Sequence, residues 1–315
     1  KNMELKEAIR HILDGNAVLF AGSGFSSGAV KDDGNTFSTA TPLVHKLLEE
    51  CGYDDEADDL GLASEIYKEM KGETALVDFI RHEFTAVNIT LEQELIGSLP
   101  WKRIYTTNYD NVLEIAYQRN DRRLDSVVLS DRPQDYGDKS NLCVHLNGKV
   151  TSLSISKLND EFKMTNSSYL TTSFLSSPWI KFFQTDLQTA SAVFFIGYSM
   201  KYDLDIQRLV YANDELKKKT FFILRENESK VTQQLITRFG TPLTLGVKGL
   251  SEIIVDIKKD YIPQPPLLIP YICFKRHELG STPPNILDKD VFNLYFRGDY
   301  GGDKNIFYSL QSPDN

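Results

Sequence analysis

The chain has 315 residues, of which 41% are hydrophobic and 25% charged, proportions typical of a soluble globular protein with room for one large domain plus an appendage, or two domains. The formal net charge of −9 argues against broad nonspecific binding of nucleic acid, and direct binding by this region is not expected. Three cysteines cannot form a four-cysteine zinc site or a disulfide framework, and no apolar run approaches the ~20 residues of a membrane span. Without a signal peptide either, we predict a cytoplasmic protein that binds no metal.

The first predicted strand, Ala17–Ala21, follows a helix over Met3–Leu13 and runs directly into Gly22, Gly24 and Gly28. A continuous apolar run is typical of a buried parallel strand, and glycines after it let the backbone approach a ligand closely. A helix at that point would offer its free N–H groups to a phosphate. The spacing G-x-G-x-x-x-G is one residue longer than the dinucleotide fingerprint, so a tight strand-to-helix turn explains it as well.

Four predicted helices then follow without an intervening strand: Leu43–Cys51, Leu60–Met70, Thr74–Val87 and Leu91–Leu99. Such a block interrupts an alternation of strands and helices. It predicts a small helical insertion at about residues 41–99, which would form a lid or a flank.

The alternation resumes after the insertion. Predicted strands are Arg103–Thr106, Ser126–Leu129, Leu142–Leu146, Ala192–Gly197 and Thr220–Leu224. Predicted helices are Tyr109 to about Gln118, Ser167–Ser173, Trp179–Thr189, Asp203–Ala212 and Glu228–Arg238, and Leu250–Lys258 closes the series. This order predicts an α/β fold, a Rossmann-like doubly wound parallel sheet with helices on both faces.

Beyond Lys259 the composition changes, because prolines punctuate the chain and glycines cluster near its end. We therefore predict one domain over residues 1–259 and, over residues 260–315, a proline-rich linker or the start of a further module. Since the first residue is lysine rather than methionine, we expect the sequence to be part of a longer polypeptide.

Polar residues follow four of the predicted strands. The segments are Gly22-Ser23-Gly24, Thr106–Asp110, Val144–Gly148, and Gly197-Tyr198-Ser199 with Asp203 and Asp205 behind it. In an open α/β sheet, ligand contacts gather at the carboxyl ends of the strands. Each segment alone has an ordinary explanation as a helix cap, a turn or a core histidine. The four together favour one binding site.

Together these segments resemble the sirtuin-like NAD-hydrolysing domains that serve as effectors in bacterial anti-phage systems. Ala21–Ser26 resembles the GAG-x-S stretch, and Thr106–Asp110 resembles the T-x-N-x-D motif. Met164–Tyr169 is similar to a segment that carries a tyrosine after the histidine motif, and Phe194–Ile206 resembles the iGyS…D-x-D-I signature. The resemblance covers roughly residues 4–258.

The resemblance implies NAD as the substrate and cleavage of its nicotinamide–ribose bond to give nicotinamide and ADP-ribose. The implied catalytic residues are Asn108, His145 and Asp110. Asn108 would grip a ribose hydroxyl and a water, since an amide offers one acceptor and two donors. Asp110 would hold the nicotinamide side or orient its loop, and His145 would be the general base.

The implied NAD-binding residues are Gly22, Ser23, Gly24, Phe25, Ser26, Thr107, Asn147, Gly148, Gly197, Ser199, Arg225 and Asn227. The N–H groups of Ser23, Gly24 and Phe25 would face the pyrophosphate. Ser199, with Gly197, would approach the adenosine ribose or an adjacent phosphate. Arg225, Asn227 and Lys248 would lie at the adenosine end.

Two departures from the family pattern keep alternatives open. The family places histidine directly before glycine, where this chain has Asn147, and His145 lies two residues earlier on the same face of a strand, ~7 Å away. If the base is lost, the domain would be a catalytically silent module that binds NAD or ADP-ribose. The chain also lacks the four-cysteine zinc module of protein deacylases, so NAD hydrolysis ranks above a deacylase or an ADP-ribosyl transferase.

The resemblance also implies partners. Such domains are held inactive until infection is sensed and then empty the NAD pool, which is abortive infection. We therefore expect a homo-oligomer, and a sensor module or partner protein downstream of the linker.

Overall fold

The computed structural model describes residues 2–54, 57–136, 139, 141–165, 168, 176–200, 204–211, 213–262, 294–296 and 306–308. The chain divides into two compact units, residues 1–262 and 263–315. In the second unit, the strands Leu294–Phe296 and Ile306–Tyr308 pair antiparallel. The first unit carries every segment of the predicted site. No helix within the described ranges combines the length and the apolar character needed to cross a membrane.

The first unit is built on a seven-stranded sheet in which every pairing is parallel. The strands are β1 (Ala17–Ala21), β2 (Arg103–Thr106), β3 (Asp125–Val128), β4 (Leu142–His145), β5 (Ala192–Ile196), β6 (Thr220–Ile223) and β7 (Thr241–Leu243). Their order is β3-β4-β2-β1-β5-β6-β7. From β1 the chain fills one side of the sheet, going through β2 to the edge strand β3 and back to β4, and then fills the other side outward through β5, β6 and β7. This is the predicted doubly wound fold, and its switch point lies where the carboxyl ends of β1, β2 and β5 meet.

Helices cover the sheet. The described ones are α1 (Leu5–Leu13), α2 (Ser23–Ser26), α3 (Ala40–Glu50), α4 (Leu60–Lys71), α5 (Glu73–Phe84), α6 (Leu91–Gly97), α7 (Val112–Gln118), α8 (Ile155–Asp160), α9 (Trp179–Thr189), α10 (Leu204–Tyr211), α11 (Asp214–Lys218), α12 (Lys230–Ile236) and α13 (Gly246–Lys259). Single 3-10 turns cover Pro133–Asp135 and Val150–Ser152. Leu250–Lys258, which closes the predicted series, lies within α13.

Two apolar layers sandwich the sheet because alternate side chains of each strand point to opposite faces. Leu19 of β1 and Phe194 of β5 contribute to one layer, with buried side chains of α1, α6, α7 and α13. Phe20 and Phe195 contribute to the other layer, with buried side chains of α9, α10 and α12. The rings of Phe20 and Phe195 stack with their centroids 4.9 Å apart. All ten residues of β1 and β5 are buried, which holds the switch point on a rigid base.

The helical insertion has its own core. Buried side chains of α3, α4 and α5 pack there with Tyr109, Val150 and Phe162 from loops at the edge of the sheet. Helix α6, which the sequence groups with the insertion, packs instead on the sheet beside α7, with Ile96 buried in the first apolar layer. The insertion therefore contacts the predicted site through the loops that follow β2 and β4.

Candidate active site

The four polar segments meet at one edge of the sheet. Strands β4, β2, β1 and β5 are consecutive neighbours, and their registers place His145, Thr106, Ala21 and Ile196 side by side. Each of these residues ends its strand, so the loops that follow converge. This juxtaposition was predicted from the parallel topology alone.

The glycine loop packs directly against the loop after β5. Gly22 N donates to Ile196 O (2.9 Å), and Gly24 N donates to Gly197 O (3.0 Å). Gly197 has a φ of +66°, and a Cβ there would lie 2.1 Å from Phe25 N, so a side chain at this position would collide with backbone. Glycine is required at Gly197 for both reasons.

The glycine loop uses two of its three predicted phosphate donors internally. Gly24 N is bonded to Gly197, and Phe25 N donates to Gly22 O (2.9 Å) within a tight turn. The Phe25 ring is completely buried in the core. Ser23 is exposed, and within the described residues its N–H makes no backbone hydrogen bond. Of the three predicted donors, the N–H of Ser23 is therefore the one left to face a phosphate in this conformation.

Hydrogen bonds fix the orientation of the Asn108 side chain. Its Nδ2 donates to Gly22 O (2.9 Å) and to Ser26 Oγ (3.0 Å). Because a carbonyl oxygen can only accept, the atom that faces Gly22 must be the amide nitrogen. Both amide hydrogens are therefore committed inside the protein. Oδ1 remains as the acceptor without a hydrogen-bond partner within the described residues.

The backbone of Asn108 is held as firmly as its side chain. Its N–H donates to Thr106 Oγ1 (3.0 Å), and the Thr106 hydroxyl in turn donates to Ala21 O (2.9 Å). Its carbonyl lies 3.0 Å from His145 Nδ1. Strands β1, β2 and β4 thus all contribute to placing one residue, which is 9% exposed.

Asp110 is a buried carboxyl group beside this network. Its Oδ1 accepts from Val112 N (3.1 Å), and the hydroxyl of buried Ser26 is its second hydrogen-bond partner. Burial raises the pKa of Asp110 to about 6, although both hydrogen bonds oppose the rise, and neighbouring Glu114 adds to it while His145 lowers it. Asp110 therefore titrates close to neutral pH.

His145 lies behind the loop, with none of its surface exposed. Nδ1 faces the Asn108 carbonyl, and Nε2 lies 3.1 Å from Glu114 Oε1. Burial alone would lower the pKa of His145, but the charge and the hydrogen bond of the Glu114 carboxylate oppose this and raise the pKa. Both ring nitrogens thus have partners inside the protein.

Asn147 and Gly148 join the loop after β4 to the rest of the site. Asn147 Nδ2 donates to Thr107 O (3.3 Å), and Asn147 O accepts from Lys163 N (3.0 Å). Gly148 has a φ of +90°, and a Cβ there would lie 2.8 Å from the Phe162 ring. These contacts tie the β2 and β4 loops together next to Asn108.

Two residues that sequence reasoning missed support the same loops. Tyr109 donates to Lys163 O (2.5 Å), accepts at its own carbonyl from Val150 N (2.7 Å) and stacks on Phe162 at 4.5 Å. Glu114 pairs with His145. The sequence shows Tyr109 inside the T-x-N-x-D motif and Glu114 four residues after Asp110, in the first turn of α7, and that spacing was the available signal.

The predicted adenosine-side residues lie farther out. Ser199 is half-buried in the loop after β5, whereas Arg225, Asn227 and Lys248 are exposed, and the Arg225 guanidinium pairs with Glu228 (3.0 Å). Within the described residues, no hydrogen bond joins these four to the Asn108 network. Asn166, Ser167, Tyr169 and Asp203, and the side chain of Asp205, lie outside what the structure describes.

The described part of the chain holds no group of three or more His, Cys, Asp or Glu side chains arranged to bind a metal ion.

Replacing Asp110 by Asn should stabilise the fold at pH 7.5. A folded-state pKa of about 6, above the ordinary value of 3.8, means that ionisation opposes folding, a penalty absent below pH ~4 and complete above about pH 6. Two pKa units correspond to about 3 kcal/mol as an upper value. Urea unfolding should show the gain at pH 7.5 and its decline toward pH 4. The exposed Asp160→Asn is the control, and an equal gain for both variants, or a gain independent of pH, would contradict the assignment.

The sequence is similar to a known domain family and to a known hydrolase. Residues 102–240 match the SIR2-like domain family. The NAD(+) hydrolase ThsA of Bacillus cereus (strain MSX-D12) is 23% identical over 236 residues, which are 72% of this chain and 46% of that protein. The chain thus spans about half the length of this relative. These matches confirm the sirtuin-like resemblance that the motifs indicate.

Two solved structures that align with this chain are complexes of Sir2 homologues. A serine-to-alanine mutant of a Sir2 homologue in complex with ADP ribose shares 15% identity with a TM-score of 0.45, over 82% of this chain and 97% of that one. A Sir2 homologue–NAD complex shares 12% identity with a TM-score of 0.43, over 82% of this chain and 95% of that one.

Proposed function

We propose that this chain, with its SIR2-like segment over residues 102–240, is an NAD hydrolase that cleaves the nicotinamide–ribose bond. The observation that carries the proposal is Asn108, buried at the switch point of the sheet with both amide hydrogens bonded and Oδ1 left as an acceptor. Ligands of doubly wound folds bind at such a point. The family match and the NAD(+) hydrolase relative support NAD processing.

The chemistry fits an acceptor at this position. In hydrolysis the C–N bond to nicotinamide breaks with its electron pair on nitrogen, water forms the new bond to the ribose carbon, and one proton is released. Cleavage builds oxocarbenium character on the ribose. Oδ1 of Asn108 would accept a hydrogen bond from the attacking water or from a ribose hydroxyl, and its partial negative charge would stabilise the developing cation. The sequence leaves both the acceptor and the two donors of this side chain as candidates for contacting the substrate. Because both donors are bonded inside the protein, the acceptor would make that contact.

Asp110 is the group we propose for accepting the released proton. Its carboxyl group is two residues from Asn108 and shares Ser26 with it as a hydrogen-bond partner. With a pKa of about 6, it is ionised at neutral pH and basic enough to take part in proton transfer. His145 has both ring nitrogens occupied inside the protein, which favours a supporting role for it.

The remaining residues would hold the substrate. We assign Ser23 to the pyrophosphate, with Gly22, Gly24, Phe25 and Gly197 shaping a close approach of backbone. Thr107, Asn147 and Gly148 would form the wall next to the reacting bond. Ser199 would approach the adenosine ribose, and Arg225, Asn227 and Lys248 the adenosine end. The insertion, packed on Tyr109 and Phe162, would shield the reacting bond from bulk water.

The biological setting stays a proposal as well. A chain that spans 46% of a relative's length leaves room for further segments in that relative. We propose a cytoplasmic effector of anti-phage abortive infection, active as a homo-oligomer and controlled by a sensor module or partner protein.

A product analysis tests the function. We expect the purified chain to convert NAD to equal amounts of nicotinamide and ADP-ribose, with one oxygen-18 atom in ADP-ribose when the reaction runs in labelled water. Binding of ADP-ribose without turnover, both here and in cells that express the full-length protein, would favour the silent module, which Asn147 in place of histidine also favours. Release of nicotinamide only with an acyl-lysine peptide or another acceptor would favour a deacylase or a transferase.

A further inference from the structure

Glu114 is a carboxylate with an unusual position behind the Asn108 loop. It lies in the first turn of α7, and its side chain is 23% exposed. Oε1 accepts from the Ser126 hydroxyl (2.5 Å) and lies 3.1 Å from His145 Nε2. Oε2 is buried without a hydrogen-bond partner among the described residues. A buried carboxylate oxygen without a donor is costly unless a positive charge is close by.

The hydrogens of His145 follow by elimination. Nδ1 lies 3.0 Å from the Asn108 carbonyl oxygen, which can only accept, so Nδ1 carries a hydrogen. Nε2 faces Oε1 of Glu114 at 3.1 Å, so one hydrogen lies between them, on Nε2 or on Oε1. Oε1 also accepts from the Ser126 hydroxyl, and the pKa of Glu114 is lowered by its contact with His145, so Glu114 is the ionised partner. Nε2 therefore carries a hydrogen too. With both nitrogens protonated the ring is an imidazolium, the positive charge that Glu114 requires.

We propose that Glu114 is a positioning residue: it holds His145 as an imidazolium whose Nδ1–H fixes the Asn108 carbonyl, so that His145 is not the proton acceptor of the site. The proposal rests on the proposed NAD hydrolysis for its effect on catalysis, but not for the state of the ring. An imidazolium has no lone pair with which to take a proton. The pair instead fixes the backbone of Asn108, while Gly22 and Ser26 fix its side chain.

The other titratable groups around the pair agree with this arrangement. Cys143, on the same strand as His145, is buried, and burial raises the pKa of its thiol, so it stays neutral near pH 7. Burial would also raise the pKa of Glu114, but the charge and hydrogen bond of His145 lower it overall. Asp110, from the loop after β2, is the remaining acidic neighbour and has its own donors in Val112 and Ser26.

Nitrogen-15 NMR of the whole chain labelled at histidine tests the ring directly. The His145 signals are identified among the five histidines by their loss in His145→Gln. We expect both ring nitrogens at imidazolium shifts at pH 7.5, and neutral shifts in Glu114→Gln. Glu94→Gln, which removes a surface partner of Arg119, is the matched control and should change nothing. A neutral His145 in the unaltered chain would overturn the proposal.

Kinetics of nicotinamide release test the positioning role. Glu114→Gln can still donate from its amide to a neutral Nε2, so Nδ1–H keeps its bond to Asn108 and kcat should stay within a few-fold of normal. Glu114→Ala loses that support, and kcat should fall by about 10- to 100-fold with little change in KM, since 1 Å of misplacement can cost about 100-fold. A Gln variant as impaired as the Ala variant would contradict positioning.

The pH profile separates His145 from the proton acceptor. In His145→Gln the acidic limb of kcat near pH 6 should remain, because we assign it to Asp110. Loss of that limb, together with a fall in kcat of about 10²- to 10⁴-fold, would identify His145 as the base instead. If the unaltered chain releases no nicotinamide, NAD hydrolysis fails as the function, while the NMR experiment still decides the state of the pair.

Discussion

Replacing Asn108 by Asp should reduce NAD hydrolysis as strongly as replacing it by Ala, although Asp has the same shape. Both amide hydrogens of Asn108 are donated, one to Gly22 O and one to Ser26 Oγ. A carboxylate has no hydrogen to donate and would set a negative oxygen against the Gly22 carbonyl at the distance now occupied by a 2.9 Å hydrogen bond. The side chain would turn away, and the acceptor at Oδ1 would leave its place.

The expected loss is large in both variants. Removing one preorganised polar group from an active site costs about 10²- to 10³-fold in kcat, which is the fall we expect for Asn108→Ala and Asn108→Asp. The Asp variant should also lose about 1–3 kcal/mol in free energy of unfolding, because the Gly22 carbonyl loses its donor and gains a repelling neighbour. Nicotinamide release and urea unfolding measure the two effects separately.

The matched control is Asn120→Asp. Asn120 also donates from Nδ2 to a backbone carbonyl, Ala116 O at 2.9 Å, but it lies on an exposed helix end after α7. That substitution should leave turnover unchanged and alter stability only slightly. If Asn108→Asp hydrolysed NAD at a rate near normal, the fixed orientation of the amide, and with it the acceptor role of Oδ1, would be wrong.

Much of the fold was predictable because its signals are local. Continuous apolar runs identified β1 and β5, and the alternation with helices identified the parallel sheet. The bounds of β2 and α9 were predicted to the residue. Strand β7 was missed because Thr241–Leu243 is three residues long, contains a proline and is only half-buried, as suits a sheet edge.

The candidate site was predictable in place but not in detail. Parallel strands bring their carboxyl ends to one edge, so the meeting of Asn108 with the glycine loop followed from the fold class. The bonding of the Asn108 amide hydrogens depends on a contact with Gly22, which is 86 positions away in the sequence. Glu114 and His145, which also meet, are 31 positions apart. No local pattern encodes such pairs. The hydrogen bond from Gly24 N to Gly197 O likewise joins residues that are far apart in the sequence. The roles of Ser199, Arg225 and Asn227 stay predictions.

Of the substitutions where the glycine loop packs on the loop after β5, Gly197→Ala should destabilise the fold most. It should also suppress NAD hydrolysis. A Cβ at Gly197 would lie 2.1 Å from Phe25 N and 2.3 Å from Gly24 C. Both are backbone atoms, so no side-chain rotation relieves the overlap. Strand β5 is buried and paired on both sides, so the glycine loop has to move, which breaks the bond from Gly24 N to Gly197 O.

The cost of this substitution has two separable parts. The positive φ of +66° costs about 1–2 kcal/mol for any residue with a side chain, and the overlap adds about 1–3 kcal/mol. Gly52→Ala isolates the first part, because Gly52 has a φ of +83° with nothing within 4 Å of its added Cβ. Urea unfolding should show the greater loss for Gly197→Ala, with nicotinamide release reduced in that variant alone. Equal losses in the two variants would contradict this prediction, because they would mean that the overlap with Phe25 and Gly24 adds no cost beyond that of the positive φ.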